Sequence, residues 1–202
     1  MKTTVLYVEL LVVGTGTAIV LLLLAHVLFG HEAWFVDMLE FTTEQKFLTS
    51  IPILSIIYML GIVTTNLGHR AFKSTEEKLR NNNLKSGGSP DVIYDYLEVR
   101  NQLYTTSNTE ALIVDFEFRR SKVRICRGWA VNSVLFSVLF FVLAIPCSMS
   151  TLCCENKILW FGFSVSVLIL IGTLLAWYTT TKTELDWLKS YYTNLPSPDS
   201  AD

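Results

Sequence analysis

The sequence predicts an all-α membrane protein with four transmembrane helices and a cytoplasmic helical module between spans two and three. Three observations predict it. The 202 residues are 51% hydrophobic and 17% charged, with a mean hydropathy of +0.42, and the apolar residues are gathered into four runs. Each run approaches the ~20 apolar residues needed to cross a hydrocarbon core of about 30 Å. The basic residues, finally, are unevenly shared: His69 to Arg127 holds eleven Lys or Arg, whereas Gly30–Lys46 and Cys147–Lys157 hold one each.

Lipid offers the backbone no hydrogen-bond partner, so a spanning segment must be a helix or part of a closed barrel. Continuous apolar runs fit helices, because barrel strands alternate. The positive-inside rule then places the long middle segment and both termini in the cytoplasm. The expected divisions are a transmembrane hairpin at 1–68 (spans 5–29 and 47–67), a cytoplasmic module at 69–121, a second hairpin at 122–180 (spans 123–146 and 158–178), and a cytoplasmic helix and tail at 181–202.

Span one has a basic start, but Glu9 interrupts it and no A-x-A site follows, so it reads as a retained helix and not a cleaved signal. Its Gly14-Thr-Gly-Thr-Ala18 stretch puts Gly14 and Ala18 in small-xxx-small spacing, a face for close helix packing within one subunit or between subunits. Glu9 lies near the cytoplasmic edge, where it would reach interfacial water. The acidic loop Gly30–Lys46 carries Trp34 and Phe35 at headgroup level. Span two holds Pro52, expected in its first turns where a missing N–H costs least.

Ala71–Arg80 continues span two as a charged helix. Asn81 to Pro90 reads as a loop from its Asn, Gly, Ser and Pro content. Val92, Tyr96, Val99 and Leu103 recur at helical spacing, and Ser107-x-x-Glu110 has the form of a capping box that opens a further helix. That helix runs into the cationic junction Arg119, Arg120, Lys122, Arg124 and Arg127, and so into span three, with the basic side chains snorkelling to the interface. Within it Asn132 is a polar amide that prefers a helix–helix contact over lipid. Cys147–Asn156 is a short outer turn, span four has Trp160 and Trp177-Tyr178 at its ends, and Thr181–Leu195 is a short helix stopped by Pro196.

Chemistry is sparse. Cys147 could pair with Cys153 or Cys154 across the outer turn, and spacing alone does not choose. Neither C-x-x-C nor H-x-x-x-H spacing is present, so neither a metal nor another cofactor is expected. No hydrolase elbow, phosphate loop or zinc-protease helix occurs, and the chain reads as non-enzymatic. A net charge of −2 gives no reason to expect nucleic acid. The basic junction suits anionic inner-leaflet lipid, or else the cytoplasmic mouth of an oligomeric, anion-favouring pore.

Tyr58-Met-Leu-Gly-Ile-Val63 and Ser121-Lys-Val-Arg-Ile-Cys-Arg-Gly-Trp-Ala-Val-Asn132, under a tenth of the chain, resemble signatures of a scattered, uncharacterised family of small four-span bacterial inner-membrane proteins. The resemblance implies that location and brings no assigned activity, so it carries over no functional residue. The resulting expectation is an oligomeric membrane component that contacts lipid and works with a cytoplasmic protein partner, in a layout that a bacterial antiviral defence or stress system would suit by analogy. An ion channel built from a ring of subunits is the alternative.

Overall fold

The computed structural model describes residues 2–29, 43–85, 110–149 and 153–193, and every one of them is helical. The helices are α1 (Lys2–Phe29), α2 (Thr43–Lys85), α3 (Glu110–Met149) and α4 (Cys153–Thr193). Each contains a stretch long and apolar enough to cross a membrane, which makes the chain a multi-pass membrane protein by length and composition. Large apolar side chains such as Ile56, Met59, Ile158, Phe161 and Leu168 are exposed on the outside, as expected where the surrounding solvent is lipid.

Directions follow from contacts. Glu9 meets Arg124 and Thr17 meets Asn132, so α1 and α3 run the same way. Phe141 packs on Trp160 and Phe116 on Trp187, which makes α4 antiparallel to α3. On α2, Gly68 lies against the backbone of Arg127, while Thr64 reaches Asn132 through Thr17, so α2 also opposes α3. Helix α3 is the hub. It packs on α1 and α2 and lies along nearly all of α4, whereas α4 touches α2 much less.

Three of the helices outlast the bilayer. At 1.5 Å per residue, α2, α3 and α4 are each roughly 60 Å long, about twice the hydrocarbon thickness. The surplus of all three gathers at the end that carries Arg119–Arg127. There Phe116, Leu185 and Leu188 are buried, and Arg119 lies over the Trp187 ring. These extensions form a stalk.

Several boundaries differ from those read in the sequence. Asn81–Lys85 is the last turn of α2 and not the start of a loop; an established helix extends at little cost through residues that would not nucleate one. Thr181–Thr193 continues α4 without a break and is no separate helix. Pro52 sits well inside α2, beyond the first turn, so the Leu48 carbonyl loses its i+4 donor. The outer turn is tighter than Cys147–Asn156, because α3 runs to Met149 and α4 begins at Cys153. The amphipathic segment at 91–104, the capping Ser107, most of the first outer loop and the tail lie outside the described residues, so no separate module between spans two and three is described.

A polar node holds the three-helix core. Asn132 on α3 is fully buried; its Nδ2 donates to the Val13 carbonyl at 2.9 Å, and its Oδ1 accepts from Thr17 Oγ1 at 2.9 Å. With that proton committed, the 2.7 Å contact between Thr17 and Thr64 is a bond donated by Thr64. One relay thus links α2, α1 and α3. Interhelical bonds of this kind average only about 0.6 kcal/mol in membranes. Asn132→Ala should therefore lower stability by about 1 kcal/mol in an SDS unfolding titration, far less than the helix-crossing substitutions discussed below.

Candidate functional site

The stalk meets the apolar core at a charged layer built from all four helices. On α1, Glu9 is 4% exposed and accepts two bonds from Arg124, from Nε at 2.8 Å and from Nη2 at 3.0 Å. Such a bidentate fork fixes the relative orientation of the two helices as well as pairing the charges. On α2, Glu76 accepts from Arg127 Nη1 at 2.7 Å and from Arg80 one turn away. His69 Nδ1 lies 3.4 Å from the same Arg127 nitrogen. His69, Phe72 and Glu76 share one face of α2, and between the two polar residues Phe72 packs on Trp177 of α4, with centroids 4.8 Å apart.

The five junction residues therefore do different things. Arg124 and Arg127 turn inward and are paired; they do not snorkel to the interface, because buried carboxylates on neighbouring helices offer a nearer partner. Arg119 pairs with Asp115 one turn back, at 3.0 Å. Arg120 lies over Phe116, and Lys122 over Phe118; neither has an ion pair among the described residues. Glu9 does not reach interfacial water as its position in the sequence suggests, because α3 covers it.

This layer also contains polar atoms left without protein partners. Arg127 Nε, Trp177 Nε1 and Thr181 Oγ1 are buried and make no hydrogen bond. Each such group costs on the order of 1–3 kcal/mol. The charged layer is thus both tightly cross-linked and incompletely satisfied, unlike the polar node above it.

The predicted packing residues are used inside the chain. Gly14 faces the Ile57 carbonyl and Gly61 the Leu10 carbonyl, so closely that a Cβ on either would overlap backbone atoms. Asn132 is consumed in the node. Ala18 is half-buried, and Gly16 lies against Asn132, at the contact of α1 with α3. The side chains of Cys147, Cys153 and Cys154 lie outside the described residues. Cys126 is a half-buried free thiol. Among the described residues no group of three or more His, Cys, Asp or Glu is placed to hold a metal.

Sequence reasoning missed Thr17, Thr64, Gly61 and Glu76. The two threonines carry little signal, since a lone hydroxyl in an apolar run can bond its own helix. Glu76 sits in Ser-Thr-Glu-Glu-Lys and looks like part of a solvated face. Its only hint is the helical spacing from His69 and Phe72. No protein-family model, curated protein or solved structure matches the chain, so function is argued from this geometry alone.

Proposed function

We propose that this chain is a non-enzymatic component of a bacterial inner membrane that holds a helical stalk in the cytoplasm as the docking side for a cytoplasmic protein. The observation that carries the reading is the passage of α2, α3 and α4 without a break from apolar segments into one stalk, cross-linked by Arg127–Glu76 and Arg124–Glu9. Continuous helices transmit displacement between membrane and stalk, where a flexible linker would absorb it. Orientation follows from the basic end facing inward.

An anion-favouring pore gains less support. Such a mouth needs uncompensated charge, yet Arg119, Arg124 and Arg127 are each paired within the chain. Of the five junction residues, Arg120 and Lys122 are left without an ion pair among the described residues.

A photo-crosslinking residue placed at the exposed Lys73 should capture a soluble protein in living cells. The same probe at Ile158, exposed at the opposite end, should capture none. Native mass spectrometry of the chain in lipid nanodiscs should then show the partner as added mass. A ring of four or more chains that is stable alone and conducts ions would overturn the reading in favour of the channel.

A further inference from the structure

Three buried polar atoms of the charged layer have no partner within the chain: Arg127 Nε, Trp177 Nε1 and Thr181 Oγ1. Their residues are 7%, 4% and 2% exposed. They belong to one place. On α2, His69 and Glu76 flank Phe72 by one turn on either side, and both meet Arg127 Nη1, so the guanidinium crosses α2 at the level of Phe72. The Trp177 ring packs on Phe72 from α4. Thr181 follows Trp177 one turn further along the same buried face of α4. The three atoms thus meet where α2, α3 and α4 adjoin, each within about one helical turn of the Phe72 ring.

The chemistry of this set is one-sided. An indole N–H and a guanidinium N–H only donate, and a hydroxyl donates once. Within the set, the hydroxyl oxygen alone can accept. A water molecule would accept two of the bonds and bring two protons of its own, with that one oxygen to receive them. A single anion accepts from all three donors. The surrounding charge points the same way. The charged groups acting on Arg127 are Arg80, Arg120 and Arg124, against one carboxylate, Glu76, and Glu76 is already shared with Arg80. Glu9, Glu117 and Glu184 act on Arg124 instead. The free edge of Arg127 therefore faces a cation-rich, donor-rich corner of the layer.

We infer that the junction of α2, α3 and α4 is a binding site for one small monovalent anion of chloride size, held by Arg127 Nε, Trp177 Nε1 and Thr181 Oγ1. Glu76 occupies one side of the Arg127 guanidinium and the ion the other. A halide suits the set because it is a single acceptor for donors converging from two helices. A phosphate would bring more oxygens than these three donors satisfy, and each surplus oxygen would be buried without a partner. The site needs no protein partner on the stalk, so it stands or falls independently of the proposed function.

The test is an SDS unfolding titration of the full chain in sodium chloride and in sodium gluconate at equal ionic strength, since gluconate is too large for the site. Chloride should stabilise the wild type, and at ten times its dissociation constant it should raise the folded-to-unfolded ratio about elevenfold. Trp177→Phe keeps the ring on Phe72 and removes its donor; Thr181→Val keeps the shape and removes the hydroxyl. Each should weaken chloride binding about tenfold, the effect of one hydrogen bond to a charged group. Trp160→Phe, exposed at the opposite end, should leave it unchanged. In crystals grown with bromide, anomalous scattering should place one ion within hydrogen-bond distance of Trp177 Nε1. Equal stability in the two salts would overturn the proposal and assign the three atoms to water. So would a chloride effect that survives both Trp177→Phe and Thr181→Val, since the ion would then sit elsewhere. If Trp177→Phe fails to fold, Thr181→Val and the bromide position still decide.

Discussion

Gly61→Leu is expected to separate α1 from α2 and to lower stability by roughly 3 kcal/mol, the upper end of the range for overpacked cores. The reason is what a side chain there would meet. A Cβ on Gly61 would overlap the Leu10 carbonyl, and one on Gly14 the Ile57 carbonyl. Both obstacles are helix backbone, which cannot rotate aside as a side chain can. In lipid, moreover, no hydrophobic force pulls helices together, so close van der Waals contact and the bonds it permits supply the association. Moving the backbones apart also stretches the Thr17–Thr64 bond, and with it the relay to Asn132. Gly128 is more tolerant, because its obstacle is the Val13 side chain. Gly172 provides the control. Nothing lies within 4 Å of a Cβ built there, so Gly172→Leu should leave stability within about 0.5 kcal/mol. An SDS unfolding titration followed by tryptophan fluorescence distinguishes them. Equal effects at Gly61 and Gly172 would mean that the glycines serve backbone conformation and not the crossing.

The parts of this fold that were legible in the sequence are those set by the bilayer's thickness. Four apolar runs need no partner to be recognised, because length alone makes them spans. Small-xxx-small spacing identified Gly14 before its partner was known, and an amide in an apolar run identified Asn132 as a contact residue. Pairings between distant parts of the chain were not legible. Arg124 and Glu9 are 115 positions apart, as are Asn132 and Thr17, and nothing local in either sequence marks the other. The basic junction shows the consequence. Read as one charged belt it suits lipid or a pore mouth equally; resolved into pairs, it leaves Arg120 and Lys122 without carboxylate partners among the described residues. Helix ends were misjudged for a different reason. Asn81-Asn-Asn and Thr180-Thr-Lys are poor helix starters, but each lies where a long helix is already running.

Glu76 and Arg127 should respond very unequally to truncation, although they form one ion pair. Both side chains are 9% exposed. Removing one member of a buried pair costs about 3–5 kcal/mol when the other is left charged and uncompensated. Glu76→Ala has that outcome for Arg127: no other carboxylate bonds it among the described residues, and Arg80, Arg120 and Arg124 stand near enough to repel it. Arg127→Met is milder, because Glu76 keeps Arg80 one turn away and the methionine fills much of the arginine's volume. The double variant Glu76→Leu with Arg127→Met should regain most of what Glu76→Ala loses, since replacing a buried pair by packed apolar groups is often neutral. By contrast Lys73–Glu77, at 4.0 Å and with side chains 65% and 58% exposed, should contribute almost nothing. Unfolding titrations of the three variants, repeated at high salt, test the assignment. Exposed pairs are screened by salt and buried ones are not, so the gap between Glu76→Ala and Arg127→Met should persist at 1 M salt. A gap that closes there would place the pair in solvent, and the cross-link between the membrane core and the stalk would then be carried by Glu9 and Arg124 alone.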